Sequence, residues 1–221
     1  MTLSFLRPAI LAAVAVASLA GCGGKATFDI AGSVQGLQYP GLVLTEKKSG
    51  QIITINDVTK TTFSFPNTIE YGTEFEIVVT TQPPHQSCRW PGELGDSYTG
   101  SAGQQASINA RLFCSLTPHT VGGSIKMAAG STGSYVGLKL INGSNDLNPF
   151  AVTDAAQTAY VYPNIVFGVP YGITIFSQPT DPKVKCKLVP KGAFTNKTDE
   201  QVSGTMGDEN LTIDVECTKQ P

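Results

Sequence analysis

Charge is scarce in this chain. Lys, Arg, Asp and Glu make up 14% of its 221 residues and leave a formal net charge of −2, where an average soluble domain is about 25% charged. No run of like charges exceeds three residues. A basic surface able to track phosphates is therefore not expected, and nucleic acid is not an expected partner. Histidine is rarer still: His85 and His119 are the two in the chain, and each follows a proline. Nucleophilic catalysis needs a base and a group to orient it, and no G-x-S-x-G, H-E-x-x-H or P-loop pattern occurs. Gly95-Asp96-Ser97-Tyr98 resembles the G-D-S opening of some esterases, but no Asp-x-x-His follows, and the segment reads as a polar turn. The chain is expected not to be an enzyme.

Metal-binding patterns are equally thin. No C-x-x-C pair is present, which gives neither a zinc ribbon nor a thioredoxin-type centre any support. Asn142-Gly143-Ser144-Asn145-Asp146 lacks the calcium-loop rhythm and a distal Glu, and Asn-Gly between apolar runs reads as a hairpin turn. Asp199, Glu200, Asp208 and Glu209 read as a solvated loop. No metal and no cofactor are expected, apart from a covalent lipid.

Long apolar runs are missing as well. The most continuous is Ala9 to Val16, followed by small residues and preceded by Arg7. It is too short to span a bilayer, which needs about 20 residues, but has the form of an export signal. It closes with Leu19-Ala20-Gly21-Cys22, which resembles the bacterial lipobox: a thiol accepts the diacylglyceryl group and the chain is cut before it. Residues 1–21 are expected to be removed, Cys22 to carry palmitate-type acyl chains, and residues 22–27 to form a tether. Gly23, rather than Asp, follows the cysteine, which favours the outer membrane over the inner one. Several acyl chains anchor stably where one does not.

What is abundant is turn material, with 23 Gly and 14 Pro, and the sequence between the turns repeats. Gly41-Leu42-Val43-Leu44 returns as Gly137-Leu138-Lys139-Leu140, and Phe63-Ser64-Phe65-Pro66-Asn67 as Tyr160-Val161-Tyr162-Pro163-Asn164. Gly72 to Ile77 answers to Gly168 to Ile173, Gln82-Pro83 to Gln178-Pro179, and Gly32-Ser33-Val34 to Gly123-Ser124-Ile125. A near-constant offset over separate blocks marks a tandem duplication, with repeats at 28–115 and 120–218 and a linker at 116–119. Four cysteines allow three pairings, and spacing does not choose among them. If each copy is autonomous, Cys88 closes on Cys114 and Cys186 on Cys217, at about 3–4 kcal/mol per bridge on the chain-entropy model.

Each copy reads as strands. Phe28 to Ile30, Gln51 to Ile55 and Thr61 to Phe65 alternate in polarity, and Phe75, Ile77 and Val79 share a face, as do Ile108, Ala110, Leu112 and Cys114. Tyr39-Pro40-Gly41, Pro83-Pro84 and the Gly-rich stretch from Gly92 to Gly103 read as turns. About seven short strands per copy predict an all-β chain of two tandem β-sandwich modules.

The succession G-S-V, G-L-V-L, F-S-F-P, G-x-x-F-x-I and T-Q-P…C…C resembles a bacterial extracytoplasmic repeat found in lipoproteins and secreted surface proteins. In outline it is similar to Ig-like and prealbumin-like (carboxypeptidase regulatory-like) sandwiches. The resemblance implies a surface role and supplies no catalytic residues. The candidate partner-binding cluster is His85, Arg89, Trp90 and Tyr98 in the first copy, where Trp90 is the sole tryptophan; such residues dominate interface hot spots and stack on sugars, while burial over the disulfide as core packing is the commoner fate of such a tryptophan. The expected function is a lipid-anchored cell-surface module binding a protein or glycan, the alternatives being an inward-facing structural accessory lipoprotein and a protease inhibitor.

Overall fold

The computed structural model describes residues 25–92, 97–143 and 149–221, and carries nineteen β-strands among them. The first module holds β1 (Thr27–Phe28), β2 (Ile30–Gln35), β3 (Leu42–Glu46), β4 (Gln51–Ile55), β5 (Thr62–Ser64), β6 (Ile69–Glu70), β7 (Glu74–Thr81), β8 (Gln86–Arg89), β9 (Ser97–Ser101) and β10 (Ile108–Leu116). Two four-stranded sheets, β5-β2-β10-β8 and β4-β3-β7-β9, face each other, and β1 pairs with β6 at one end. The second holds β11 (Pro118–Met127), β12 (Lys139–Asn142), β13 (Phe150–Ala151), β14 (Ala159–Val166), β15 (Pro170–Ser177), β16 (Val184–Pro190), β17 (Asn196–Lys197), β18 (Gln201–Thr205) and β19 (Leu211–Lys219). Its sheets are β14-β11-β19-β16 and β13-β12-β15-β18-β17. The protein is thus all-β, two β-sandwich modules in tandem.

Period-two alternation builds both cores. Along β10, Ile108, Ala110, Leu112 and Cys114 point inward while Asn109, Arg111 and Phe113 face out. Ile30, Leu42, Leu44, Ile77 and Leu112 anchor the first core; Ile125, Leu138, Leu140, Ile173 and Ile213 anchor a separate second one. In each module the first long strand runs parallel to the last: β2 beside β10, and β11 beside β19. The remaining pairings are antiparallel. Alternation specifies which face a side chain occupies but not the direction of the neighbouring strand, so the parallel pairs were not visible in the sequence.

The repeated residues hold repeated contacts. Gly32 lies opposite Phe63, and Gly123 opposite Tyr160. A Cβ at Gly32 would overlap the Ala110 carbonyl and the Phe63 ring, and one at Gly123 the Ile213 carbonyl; glycine therefore lets the parallel strand and the cross-strand aromatic approach closely. The T-Q-P…C signature has an equally local cause. Gln82 accepts the Cys88 N–H through Oε1 at 2.7 Å and donates from Nε2 to the Cys88 carbonyl at 3.0 Å. Gln178 does the same for Cys186, at 2.8 and 3.1 Å. The side-chain amide stands in for a backbone partner, satisfying both polar groups of each half-cystine. The disulfides join Cys88 to Cys114 and Cys186 to Cys217 across directly opposed residues of neighbouring antiparallel strands, with Cα atoms 3.9 Å apart in both.

Local detail adds to the sequence reading. Residues 116–119, expected as a short linker, are mostly strand: Leu116 pairs with Gln86 in the first module, while Pro118 and His119 pair with Val166 and Ile165 in the second, leaving Thr117 alone between β10 and β11. The stretch from Gly92 to Gly103 contains β9, whose polar Ser97-Tyr98-Thr99-Gly100-Ser101 pairs with β7 at the sheet edge. An edge strand has one solvated side and needs few apolar residues, so composition disguised it. Asn142 ends β12 and Gly143 takes a positive φ of 80° as the chain leaves towards β13, its antiparallel partner; residues 144–148, like Gly95 and Asp96, lie outside the described residues.

Glu46 is buried at the end of β3. Its carboxylate accepts the N–H groups of Glu76, Lys48 and Ser49 and the Ser49 hydroxyl. Asn142 occupies the equivalent place in the second copy and accepts the Gly172 N–H at 2.9 Å. Burial pushes the Glu46 carboxyl up, but the amide of Glu76 and the donors of Ser49 and Lys48 outweigh it and hold it below the ordinary range. A carboxyl lowered in the folded state stabilises above its unfolded value, and that contribution is lost as pH falls through the folded value. Glu46→Gln should therefore cost about 1–2 kcal/mol at neutral pH, and the gap from wild type should close below about pH 4; denaturant melts between neutral and acidic pH check this.

Candidate functional site

The module joint is built from side chains of both halves. His85 follows the Pro83-Pro84 turn and takes a left-handed backbone, φ 62°. Its ring stacks on Phe167 of the second module, centroids 3.5 Å apart and planes 12° from parallel. Tyr39 packs edge-on against both rings, 4.8 Å from His85 and 6.0 Å from Phe167. The imidazole Nδ1 lies 2.6 and 2.8 Å from the two carboxylate oxygens of Asp208; an ionised carboxylate only accepts, so Nδ1 carries the hydrogen. The Thr117 N–H donates to the His85 carbonyl at 2.9 Å, and the Thr120 N–H to Asn210 Oδ1 at 2.9 Å. A hydrogen bond of the His85–Asp208 kind contributes about 0.5–1.5 kcal/mol. Here it is added to aromatic contacts of about 0.5–1.5 kcal/mol each and to the Thr117–His85 hydrogen bond.

The four residues singled out in the first copy do not form one cluster. His85 is committed to the joint. Trp90 is 4% exposed and packs in the core, 5.5 Å from Tyr98, which stacks in turn on Phe75. It is not presented to a partner, and the reason is parity. Cys88 and Trp90 point the same way from β8 and its extension, so the residue that shares the half-cystine's face shares the core. Arg89 alone faces out, beside Ser87 and opposite the partly exposed Phe113. The acidic residues of the second copy are also dispersed: Glu200 meets Gln178 and Lys185, and Asp208 meets His85. Among the described residues no three His, Cys, Asp or Glu side chains converge on a cation site.

A concave site does exist, in the second module and next to the joint. A cleft of about 470 Å³ opens between Tyr171 of β15, Lys191 and Phe194 of the β16–β17 connection, Gly204 of β18, and Glu209 and Asn210. Asn210 and Asp208 belong to the same short turn, which ties the cleft wall to the first module. Lys191 donates to Asp214 at 2.9 Å. Asp214 is buried and also accepts the Ser124 N–H and hydroxyl, both at 2.8 Å. Burial pushes its carboxyl up, but the Ser124 donors and Lys191 outweigh that and keep it low. Burial also raises the Tyr171 phenol, which stays protonated at neutral pH and able to donate. The cleft therefore offers an aromatic surface, a neutral hydroxyl and a carboxylate, while its ammonium is held by Asp214. That chemistry suits an uncharged ligand rich in hydroxyl or amide groups better than an anion. Its residues come from four separated segments, so no local motif announced it; the one local sign is Phe194, an aromatic in a polar stretch.

No protein-family model matches the chain, and no curated protein matches it in sequence. Solved structures match at low identity. The Bacillus anthracis TIE protein is 9% identical with a TM-score of 0.48, over 87% of this chain and 34% of that one. The minor pilin GBS52 of Streptococcus agalactiae is 10% identical with a TM-score of 0.30, over 83% and 85%. An adhesin from Mobiluncus mulieris, containing intramolecular disulfide, isopeptide and ester bond cross-links, is 9% identical with a TM-score of 0.35, over 84% and 88%. The present chain spans about a third of the TIE protein.

His85→Ala removes the ring that Phe167, Tyr39 and Asp208 share but leaves both cores intact. Limited proteolysis should cut near Thr117 about five- to tenfold faster than in wild type, in keeping with about 1–1.5 kcal/mol of lost joint contacts, with unchanged melting of either module. An unchanged cleavage rate would show that the joint does not depend on this residue.

Proposed function

We propose that this protein is a non-enzymatic, lipid-anchored binding module at the bacterial cell surface, with the first sandwich as a pedestal and the second as the partner-binding head. The observation that carries this is the cleft of Tyr171, Phe194 and Glu209, whose wall shares a turn with the joint residue Asp208, set beside the internal use of His85, Trp90 and Tyr98. Two supports come from elsewhere in the chain. Both disulfides suit an oxidising, extracytoplasmic compartment, and Leu19-Ala20-Gly21-Cys22 supplies the lipobox-like anchor for an outer membrane. The partner is a protein segment or glycan whose hydroxyl and amide groups meet the Tyr171 phenol and the Glu209 carboxylate across the Phe194 ring.

Protease treatment of intact cells should remove the mature chain while a periplasmic control survives. Full protection would instead support an inward-facing accessory lipoprotein. On cells that display the chain, Phe194→Ala should weaken partner adhesion about five- to thirtyfold, the effect of truncating an aromatic anchor worth about 1–2 kcal/mol.

A further inference from the structure

The end of the first module farthest from the joint is also where the described chain begins. β2 and β10 run parallel, so Lys25 and Ala26 lie at their shared starting end, while β10 leads at its other end into the second module. Residues expected to serve as tether are bound to the fold here. The Tyr71 N–H donates to the Ala26 carbonyl at 2.8 Å, Thr27 and Phe28 pair with Glu70 and Ile69, and Lys25 lies 3.1 Å from Glu70. Only Gly23 and Gly24 separate Cys22 from Lys25, a reach of about 10 Å when fully extended.

At this end stands Tyr71, 62% exposed. Its ring is not loose: it packs 6.4 Å from the Phe28 ring, and lies against Gly103, where any Cβ would overlap it. The β3–β4 hairpin, Lys47 to Gly50, and the turn from Ala102 to Ser107 reach the same end, and Ile52, also 62% exposed, follows the hairpin. The charges around them carry no positive excess. Lys25 pairs with Glu70 and Lys47 with Glu76, while Lys48 is set against Glu74, the exposed Asp29 and the buried Glu46. A fixed amphipathic ring among mixed charges suits the headgroup layer of a bilayer, where tyrosine is favoured.

We propose that this end of the first module is a membrane-apposed face, with Tyr71 seated at headgroup level of the bilayer that carries the acyl chains of Cys22. The inference rests on the lipoprotein reading of Cys22. Its occupant is the lipid surface itself, because a leash of about 10 Å leaves no room for another protein between the module and the membrane. Contact depends on the anchor and the ring and not on anionic lipid, since the local charge has no positive excess to attract it. The second module and its cleft are then held beyond the first, along a path of β10 and β11 of up to about 65 Å at about 3.3 Å per residue.

The test uses the mature full-length chain, extracted from membranes and reconstituted into phosphatidylcholine vesicles after its mass has shown whether Cys22 is acylated. An environment-sensitive fluorophore is placed through Tyr71→Cys, separately through Gln104→Cys at the same end, and through Thr132→Cys in the turn that follows β11 at the far end of the second module. Lipid-borne nitroxide should quench the probes at positions 71 and 104 severalfold more than the probe at 132. Raising NaCl from about 0.05 to about 0.5 M should not change this. Equal quenching at all three positions on an acylated chain would overturn the membrane face and leave the lipoprotein reading standing. A mature chain without acylation would overturn both.

Discussion

One residue stands between two folding units, and much of the molecule follows from it. β10 belongs to the first sheet up to Leu116, and β11 to the second from Pro118, so Thr117 has neither the length nor the freedom of a hinge. The turns that carry Tyr39 and His85 are thereby brought against those that carry Phe167 and Asp208. The joint contacts are individually modest, yet they need no long segment to be ordered, because the strands have already fixed the geometry. The cleft inherits the same constraint, since the turn that supplies Asp208 to His85 also supplies Glu209 and Asn210 to its wall.

Within each module a second economy is visible in how polar groups are treated. Gln82 and Gln178 close the backbone of Cys88 and Cys186, and Glu46 and Asn142 accept the N–H of Glu76 and Gly172. The duplicated blocks thus preserve the places where a strand ends and its amides need partners, as much as the apolar core. Where the copies differ, function has room to differ. The first copy uses its Trp90 and Tyr98 for packing, while the second presents Phe194 on a cleft.

Much of this was legible in the sequence. The all-β class, the duplication, the strand at Gln51–Ile55 and the inward face of Ile108 to Cys114 all rest on period-two alternation and on repeated blocks, which are local signals. Strand direction, the continuity of β10 into β11 and the seat of His85 depend on contacts between residues far apart in the chain. His85 and Asp208 are 123 positions apart, and nothing near either one announces the pair. Trp90 is the instructive case. Its rarity raised a binding role beside the commoner one of core packing, and its parity with Cys88 places it on the buried face. Ser97 to Ser101 was hidden for the opposite reason, being an edge strand too polar to look like one.

The central claim is that the two sandwiches form one rigid body joined at Thr117. Residual dipolar couplings of the mature chain in a dilute aligned medium address it most directly. The account predicts that backbone couplings from 27–116 and from 118–219 fit a single alignment tensor. Two tensors of clearly different magnitude and orientation, the mark of modules that tumble separately, would contradict it.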